Sequence, residues 1–256
     1  MNLVMNRTQS TGDPVAIVTG SSSGIGRAVA KAFLARGTRV VLNGRNRERL
    51  DQTAAELSDE TSGDLIAVVP GDIGARSTGE TLAATAIERF GRLDVLVNNA
   101  GTFEPRPFLE VSEEELDGYL SGNLKGTYLT TQAVVRTMKE HGGGNIVNIG
   151  TVLIDHAIGG FPASAPLVSK GGVHALTVSL SAELATDGIR VNLVAPGVVR
   201  SPLHEGVNVD DFGGIALMKR VGEVEEIANA VLYLADAEFT TGHILNVDGG
   251  FVTGRA

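Results

Sequence analysis

The chain has 256 residues, 43% of them hydrophobic, with 33 glycines and a formal charge of −9. That length suits one α/β domain, or at most two small ones, with a sizeable core. The acidic balance argues against nucleic acid or an anionic membrane as the main partner. The absence of cysteine excludes disulfides, thiol catalysis and cysteine-bound zinc.

No apolar run is long enough to span a membrane. Residues 1–13, Met1 to Asp13, are polar and lack a signal-peptide core. They read as a flexible arm on a cytoplasmic protein, with residues 14–256 as one domain.

The first strand, Val15 to Val18, runs into Thr19-Gly20-Ser21-Ser22-Ser23-Gly24-Ile25-Gly26. A helical pattern from Arg27 to Leu34 leads out. Strand, glycine turn and helix in that order make an anion site. Glycines allow close backbone approach, and the helix start presents unpaired N–H groups and a positive dipole end. The usual tenant is a dinucleotide pyrophosphate. The spacing here is G-x-x-x-G-x-G rather than G-x-G-x-x-G, and a strand–helix turn without a ligand is the plainer alternative.

Further strands are expected at Val40–Asn43, Leu65–Val69, Leu93–Val97, Ile146–Ile149, Ile189–Val194 and Ile244–Val247. Helices are expected at Asn46–Leu57, Thr81–Phe90, Asn123–Glu140, Val173–Ala185 and Glu223–Ala235. Such alternation predicts a doubly wound parallel sheet, with ligands beyond the carboxyl ends of the strands. Gly20 to Gly26, Gly44-Arg45, Gly71-Asp72, Asn98 to Gly101, Gly150-Thr151 and Pro196-Gly197 all fall just after strands.

Cofactor choice is read after the second strand. An acid there would bind a ribose 2′-hydroxyl, whereas this chain has Gly44 followed by Arg45. A guanidinium suits a 2′-phosphate, so NADP(H) is favoured over NAD(H). Asp72 can accept from an adenine amino group or cap its turn. Asn123 can cap a helix or hold a water, and Lys170 can reach a nicotinamide ribose or face solvent.

With these residues laid out, Pro14 to Phe251 resembles the short-chain dehydrogenase/reductase family. The resemblance rests on Thr19-Gly20-x-x-x-Gly24-x-Gly26, Asp72, Asn98-Asn99-Ala100-Gly101, Asn123, Ser169-Lys170, Pro196-Gly197 and Asn246-Val247-Asp248-Gly249-Gly250. It implies a Rossmann-type, seven-stranded parallel sheet with helices on both faces. It also implies a homo-oligomer, tetramer or dimer, and a substrate lid from about 198 to 220. Cofactor contacts would come from Gly20, Ser22, Ser23, Gly24, Ile25 and Gly26, then from Arg45, Asp72 and Ile73. Asn99, Ala100, Gly101, Lys170, Pro196, Gly197 and Val199 would complete them.

The family's catalytic set is Asn, Ser, Tyr and Lys, with Tyr four residues before Lys. Asn123 and Lys170 match, and Thr151 falls at the serine position. Four residues before Lys170 stands Pro166, which carries no side-chain proton. With Ser164 as N-cap, Pro166 would sit in the first turn of a helix, where its missing N–H costs little.

Tyr119, Tyr128 and Tyr233 fall on helices that the family places away from the nicotinamide. His156, in the loop after Thr151, is a candidate replacement acid that Asp155 could orient. His204, in the expected lid, is a weaker one. The resemblance thus implies an NADP(H)-dependent oxidoreductase interconverting a small-molecule carbonyl and an alcohol without the tyrosine acid/base. The alternative is a catalytically impaired NADP(H)-binding sensor or structural subunit.

Overall fold

The first strand is wholly buried: Val15, Ala16, Ile17 and Val18 each have no exposed surface. Four apolar residues in a row suit a strand covered on both faces. A computed structural model describes residues 12–61, 63–204 and 206–254, so residues 1–11 of the expected arm lie outside the described residues.

In chain order the elements are β1 (Val15–Val18), α1 (Gly24–Leu34), β2 (Arg39–Gly44), α2 (Arg47–Glu60), β3 (Ile66–Pro70) and α3 (Arg76–Phe90). There follow β4 (Val95–Asn98), α4 (Glu113–Tyr119), α5 (Gly126–Glu140), β5 (Gly144–Ile149) and α6 (Ser164–Glu183). The chain closes with β6 (Ile189–Pro196), β7 (Val199–Arg200), β8 (Gly222–Glu223), α7 (Val224–Asp236) and β9 (Ile244–Val247).

Seven strands form one parallel sheet in the order β3-β2-β1-β4-β5-β6-β9. This is the expected doubly wound sheet. Alternate residues of β1 face opposite layers. Ala16 and Val18 pack with Val29 and Phe33 of α1, Leu50 of α2 and Ile227 and Val231 of α7. Val15 and Ile17 pack with Leu82 and Ala86 of α3 and Val134 and Met138 of α5. Burying one such aliphatic side chain contributes about 1.5–3 kcal/mol.

Strand order reverses direction between β1 and β4, which opens a crevice at their carboxyl ends. Below it, a ladder of buried amides crosses the sheet. Asn98 and Asn148 are register partners, and Asn98 Nδ2 donates to Asn148 Oδ1 at 2.9 Å. Asn98 Nδ2 also reaches Thr131 Oγ1 on α5 at 2.9 Å. Asn148 Nδ2 donates to Thr177 Oγ1 on α6 at 2.8 Å. The helices on that face are therefore fixed to the sheet by hydrogen bonds that a shifted register would leave unmade.

Three helices differ from the expectation. Residues 113–140 form one right-handed run, α4, a wide turn over Leu120–Lys125 with i→i+5 bonds, and α5, where the expected helix began only at Asn123. Ser112 opens it with a capping box to Glu115. Helix α6 starts at Ser164, within a residue of the start that Pro166 in a first turn implies, and not at Val173, because Gly171 and Gly172 are absorbed into it. Gly172 has a reason to lack a side chain, since a Cβ there would meet Leu124 Cδ1 at 2.8 Å. Helix α3 starts at Arg76 rather than Thr81.

Candidate active site

The glycine loop is held from β2 and from β4. Thr19 N donates to Val97 O at 3.0 Å, and Ser21 N donates to Asn43 O at 2.8 Å. Asn99 Nδ2 donates to Thr19 O at 2.9 Å and to Gly20 O at 3.0 Å. The Asn99 amide thus buttresses the loop from β4. Gly20 has φ +63°, and a Cβ there would come within 2.7 Å of Ala100 Cα, so only glycine fits this crossing. A Cβ on Gly26 would strike Gly20 O and Asn99 Nδ2.

Helix α1 then begins with its first N–H groups uncovered. Ser23 makes no side-chain capping bond, and no acid stands in the first turn. An eleven-residue helix with a bare, positive N-terminus at a topological switch point fits a pyrophosphate. The segment after β7 approaches the loop here: a Cβ on Gly24 would lie 3.6 Å from Pro202 Cδ and Ser201 Cβ.

Arg45 is exposed just beyond β2. Among the described residues it forms no ion pair, whereas Arg47 is paired with Asp51 at 2.8 Å and Arg27 with Glu56 at 2.7 Å. Gly44 leaves little room for an acid, since even a Cβ would stand 3.3 Å from Ser22 Oγ. Asp72 caps its own turn, accepting from Gly74 N at 2.8 Å. Ile73 is buried against Gly126.

Around the next strand ends, Gly101, Asn123 and Lys170 come together. A Cβ on Gly101 would lie 2.7 Å from Asn123 Oδ1 and 3.5 Å from Lys170 Nζ. Asn123 sits in the wide turn and is buried, and such turns recur at functional sites. Its side chain is fully engaged. Oδ1 accepts from Thr102 N at 2.8 Å, and Nδ2 donates to Thr102 O at 3.0 Å and to Ser169 Oγ at 2.9 Å. Ser169 Oγ in turn donates to Pro166 O at 2.8 Å.

Lys170 Nζ donates to Ile149 O at 2.9 Å. Burial lowers its pKa to about 8. Thr151 follows one residue after Gly150, and its Oγ1 accepts from Leu153 N at 3.3 Å. That leaves the Thr151 hydroxyl hydrogen free to donate.

Pro166 is buried in the first turn of α6, four residues before Lys170. The residue before the helix is Ala163, which cannot cap it, so Ser164 is the first helical residue and not the N-cap. Proline fits there because the first turn's N–H groups have no intrahelical partner.

His156 turns toward the chain's end, its ring edge-on to Phe251 with centroids 5.0 Å apart. Asp155 exerts its charge on another histidine, His174. Tyr119 spends its hydroxyl on Glu104 O at 3.0 Å, and Tyr128 and Tyr233 are exposed. Pro196 closes β6, Gly197 N donates to Val247 O at 3.0 Å, and Val199 is buried in the β7–β8 pair. That pair ties the two ends of the segment between them, and Arg200 joins Asp210 of that segment at 2.5 Å. His204 is half-buried in the single helical turn Pro202–His204, and burial lowers its pKa.

The sequence reading missed His174, one turn after Lys170 on α6. It is only 6% exposed, and its Nε2 has no hydrogen-bond partner. A cavity also lies at the far edge of the sheet, between Leu217 and Met218 and Asn246 to Gly250. Its arginine, Arg220, is spent on Glu226 at 2.6 Å. Uncovered N–H groups and the lysine converge at the switch point instead, which locates the candidate site there.

Residues 20–252 match the family model described as enoyl-(acyl carrier protein) reductase. A 3alpha-hydroxysteroid dehydrogenase from Mediterraneibacter gnavus is 40% identical over 248 residues, covering 92% of this chain and 95% of the relative. The 3-oxoacyl-(acyl-carrier-protein) reductase of a Synechocystis species is 35% identical over 243 residues, covering 93% and 96%. The solved structure of gox2181 is 31% identical and superposes with a TM-score of 0.89, covering 95% of this chain and 97% of that one. The chain belongs to the short-chain dehydrogenase/reductase family.

Proposed function

We propose that this chain is an NADP(H)-dependent oxidoreductase that interconverts a small-molecule carbonyl and an alcohol at a site without a tyrosine acid/base. The observation that carries the reading is Lys170, half-buried beside Gly101 and bonded to Ile149 O, with Pro166 one turn before it. The printed activities of the relatives, a hydroxysteroid dehydrogenase and an oxoacyl reductase, support carbonyl–alcohol chemistry.

Gly20, Ser22, Ser23, Gly24, Ile25 and Gly26 would hold the pyrophosphate, and Arg45 a 2′-phosphate. A bound nicotinamide supplies or accepts the hydride. The chain supplies the rest. Asn123 fixes Thr102 and Ser169, and through them the approach to Lys170. Thr151 offers a hydroxyl hydrogen to a substrate oxygen. Losing a positioned acid costs roughly 10²–10⁴-fold, so turnover is slow for this family.

A homo-oligomer, dimer or tetramer, belongs to this reading. Tyr128, Val168 and Val178 leave apolar surface exposed on α5 and α6, which supports it. A cytoplasmic setting also belongs to it, and no helix among the described residues is long and apolar enough to cross a membrane.

Pro166 equally favours a second reading, a catalytically impaired NADP(H)-binding sensor or structural subunit. Calorimetric titration with NADPH, followed by turnover assays on ketones and secondary alcohols, separates the two. Binding with slow turnover supports the oxidoreductase. Binding with no turnover supports the sensor, and no binding rejects both.

A further inference from the structure

His174 is an ionisable side chain buried inside the site, and the reading above gives it no work. It lies on α6, four residues after Lys170 and so on the same helix face. It packs against the end of β5, where Gly150 makes room for the ring: a Cβ there would meet His174 Nε2 at 2.5 Å and Leu193 Cδ2 at 2.7 Å. The residue after Gly150 is Thr151. An imidazole nitrogen buried without a partner is costly in a folded protein, and such groups usually signal a role or a bound water.

We propose that His174 accepts the alcohol proton in place of the absent tyrosine, reached from the substrate oxygen through Thr151 Oγ1 and one bridging water. The inference rests on the oxidoreductase reading. In alcohol oxidation the O–H bond breaks and its proton moves to Thr151 Oγ1. The hydroxyl proton of Thr151 passes through the water to Nε2, forming the imidazolium. The hydride leaves with its electron pair for the oxidised nicotinamide, and the imidazolium then releases its proton to solvent. His174 acts through Thr151, so it is a positioning and relay residue.

The charges around the ring suit this role. Burial lowers the His174 pKa, which leaves the ring neutral and able to accept a proton near pH 7. Asp155, on the turn after Thr151, favours the imidazolium, and Lys170, on the same helix, opposes it. The neighbours from β5 and β6, Gly150 and Leu193, carry no charge.

The test measures kcat for NADP⁺-dependent oxidation of secondary alcohols, a hydroxyacyl thioester and a hydroxysteroid among them, from about pH 5 to about pH 9. The wild type should lose kcat on the acid side. His174→Gln should lower kcat roughly 10-fold or more and flatten that limb, with KM for NADP⁺ unchanged. Asp155→Asn, at an exposed position, should move the limb to lower pH. In the cofactor-free protein, proton NMR of its five histidines should show His174 titrating below the ordinary range, and lower still in Asp155→Asn.

An unchanged limb and kcat in His174→Gln would overturn the inference and leave the oxidoreductase reading standing. No turnover of any alcohol, with NADP⁺ shown to bind by calorimetry, would overturn both. If His174→Gln does not fold, Asp155→Asn decides. A limb and a His174 titration that both stay in place would then reject the relay.

Discussion

Lys170 Nζ donates to the carbonyl oxygen of Ile149 at 2.9 Å, which holds a lysine of pKa about 8 at the carboxyl end of β5. The depressed value has a cost for folding. Between pH 8 and about 10.5 the unfolded chain binds a proton at this site that the folded chain refuses. The penalty is fully present below pH 8 and is relieved as pH rises to about 10.5, amounting to about 3 kcal/mol. Lys170→Met removes it but loses a hydrogen bond worth about 1 kcal/mol. The variant should therefore melt several degrees higher than wild type at pH 7, and the gain should vanish by about pH 10.5. Calorimetry across that range checks it, and turnover should be lost.

Pro166→Tyr places a phenol one turn before Lys170. Pro166 donates no backbone hydrogen bond in the first turn of α6, and its carbonyl, which accepts from Ser169 Oγ, is kept in the variant, so the exchange should cost the backbone little. If the rest of the site is intact, ketone reduction should rise roughly 10²–10⁴-fold. An unchanged rate, with NADPH affinity preserved, would mean that the wild-type proton path does not need this position.

Arg45 should set cofactor choice. Charge-assisted bonds to a 2′-phosphate are worth about 1.5–3 kcal/mol, so Arg45→Asp should weaken NADPH roughly 10–100-fold and leave NADH unaffected or improved. Paired titrations with the two cofactors give the ratio directly.

Gly101→Ala puts a methyl group 2.7 Å from Asn123 Oδ1. The Asn123 amide would have to leave Thr102, unmaking two hydrogen bonds of 2.8 and 3.0 Å. We expect a loss of about 1–3 kcal/mol in thermal stability and a larger proportional loss in turnover.

Much of the frame is written in local pattern. Val15 to Val18 reads as a buried strand because it is an unbroken apolar run, and Gly20 to Gly26 as a strand–helix turn because the spacing demands special backbone, although Gly24 to Gly26 already form the first turn of α1. Helix α4 carried a signal that the reading passed over, since Ser112 and Glu115 form a capping box at the expected spacing. The start of α6 was legible at Pro166, which reads as a first-turn residue, but the stretch between it and Val173 was not, because Gly171 and Gly172 are poor helix formers. Tertiary contact with Leu124 overrides them.

The site was legible as residue types but not as partnerships. Sequence gives no sign that the Asn99 amide is spent on Thr19 and Gly20, or that Asp155 acts on His174. A helix histidine on the core side looks the same in sequence as one facing water.

The most direct test of the central claim is a crystal structure with NADPH bound. The pyrophosphate should lie on the N–H groups of Gly24 to Gly26 and a 2′-phosphate against Arg45. Thr151 Oγ1 should be the proton-bearing group within about 2.6–3.2 Å of a carbonyl oxygen built beside the nicotinamide. A cofactor bound elsewhere, or a nicotinamide facing only Pro166 and apolar side chains, would contradict it.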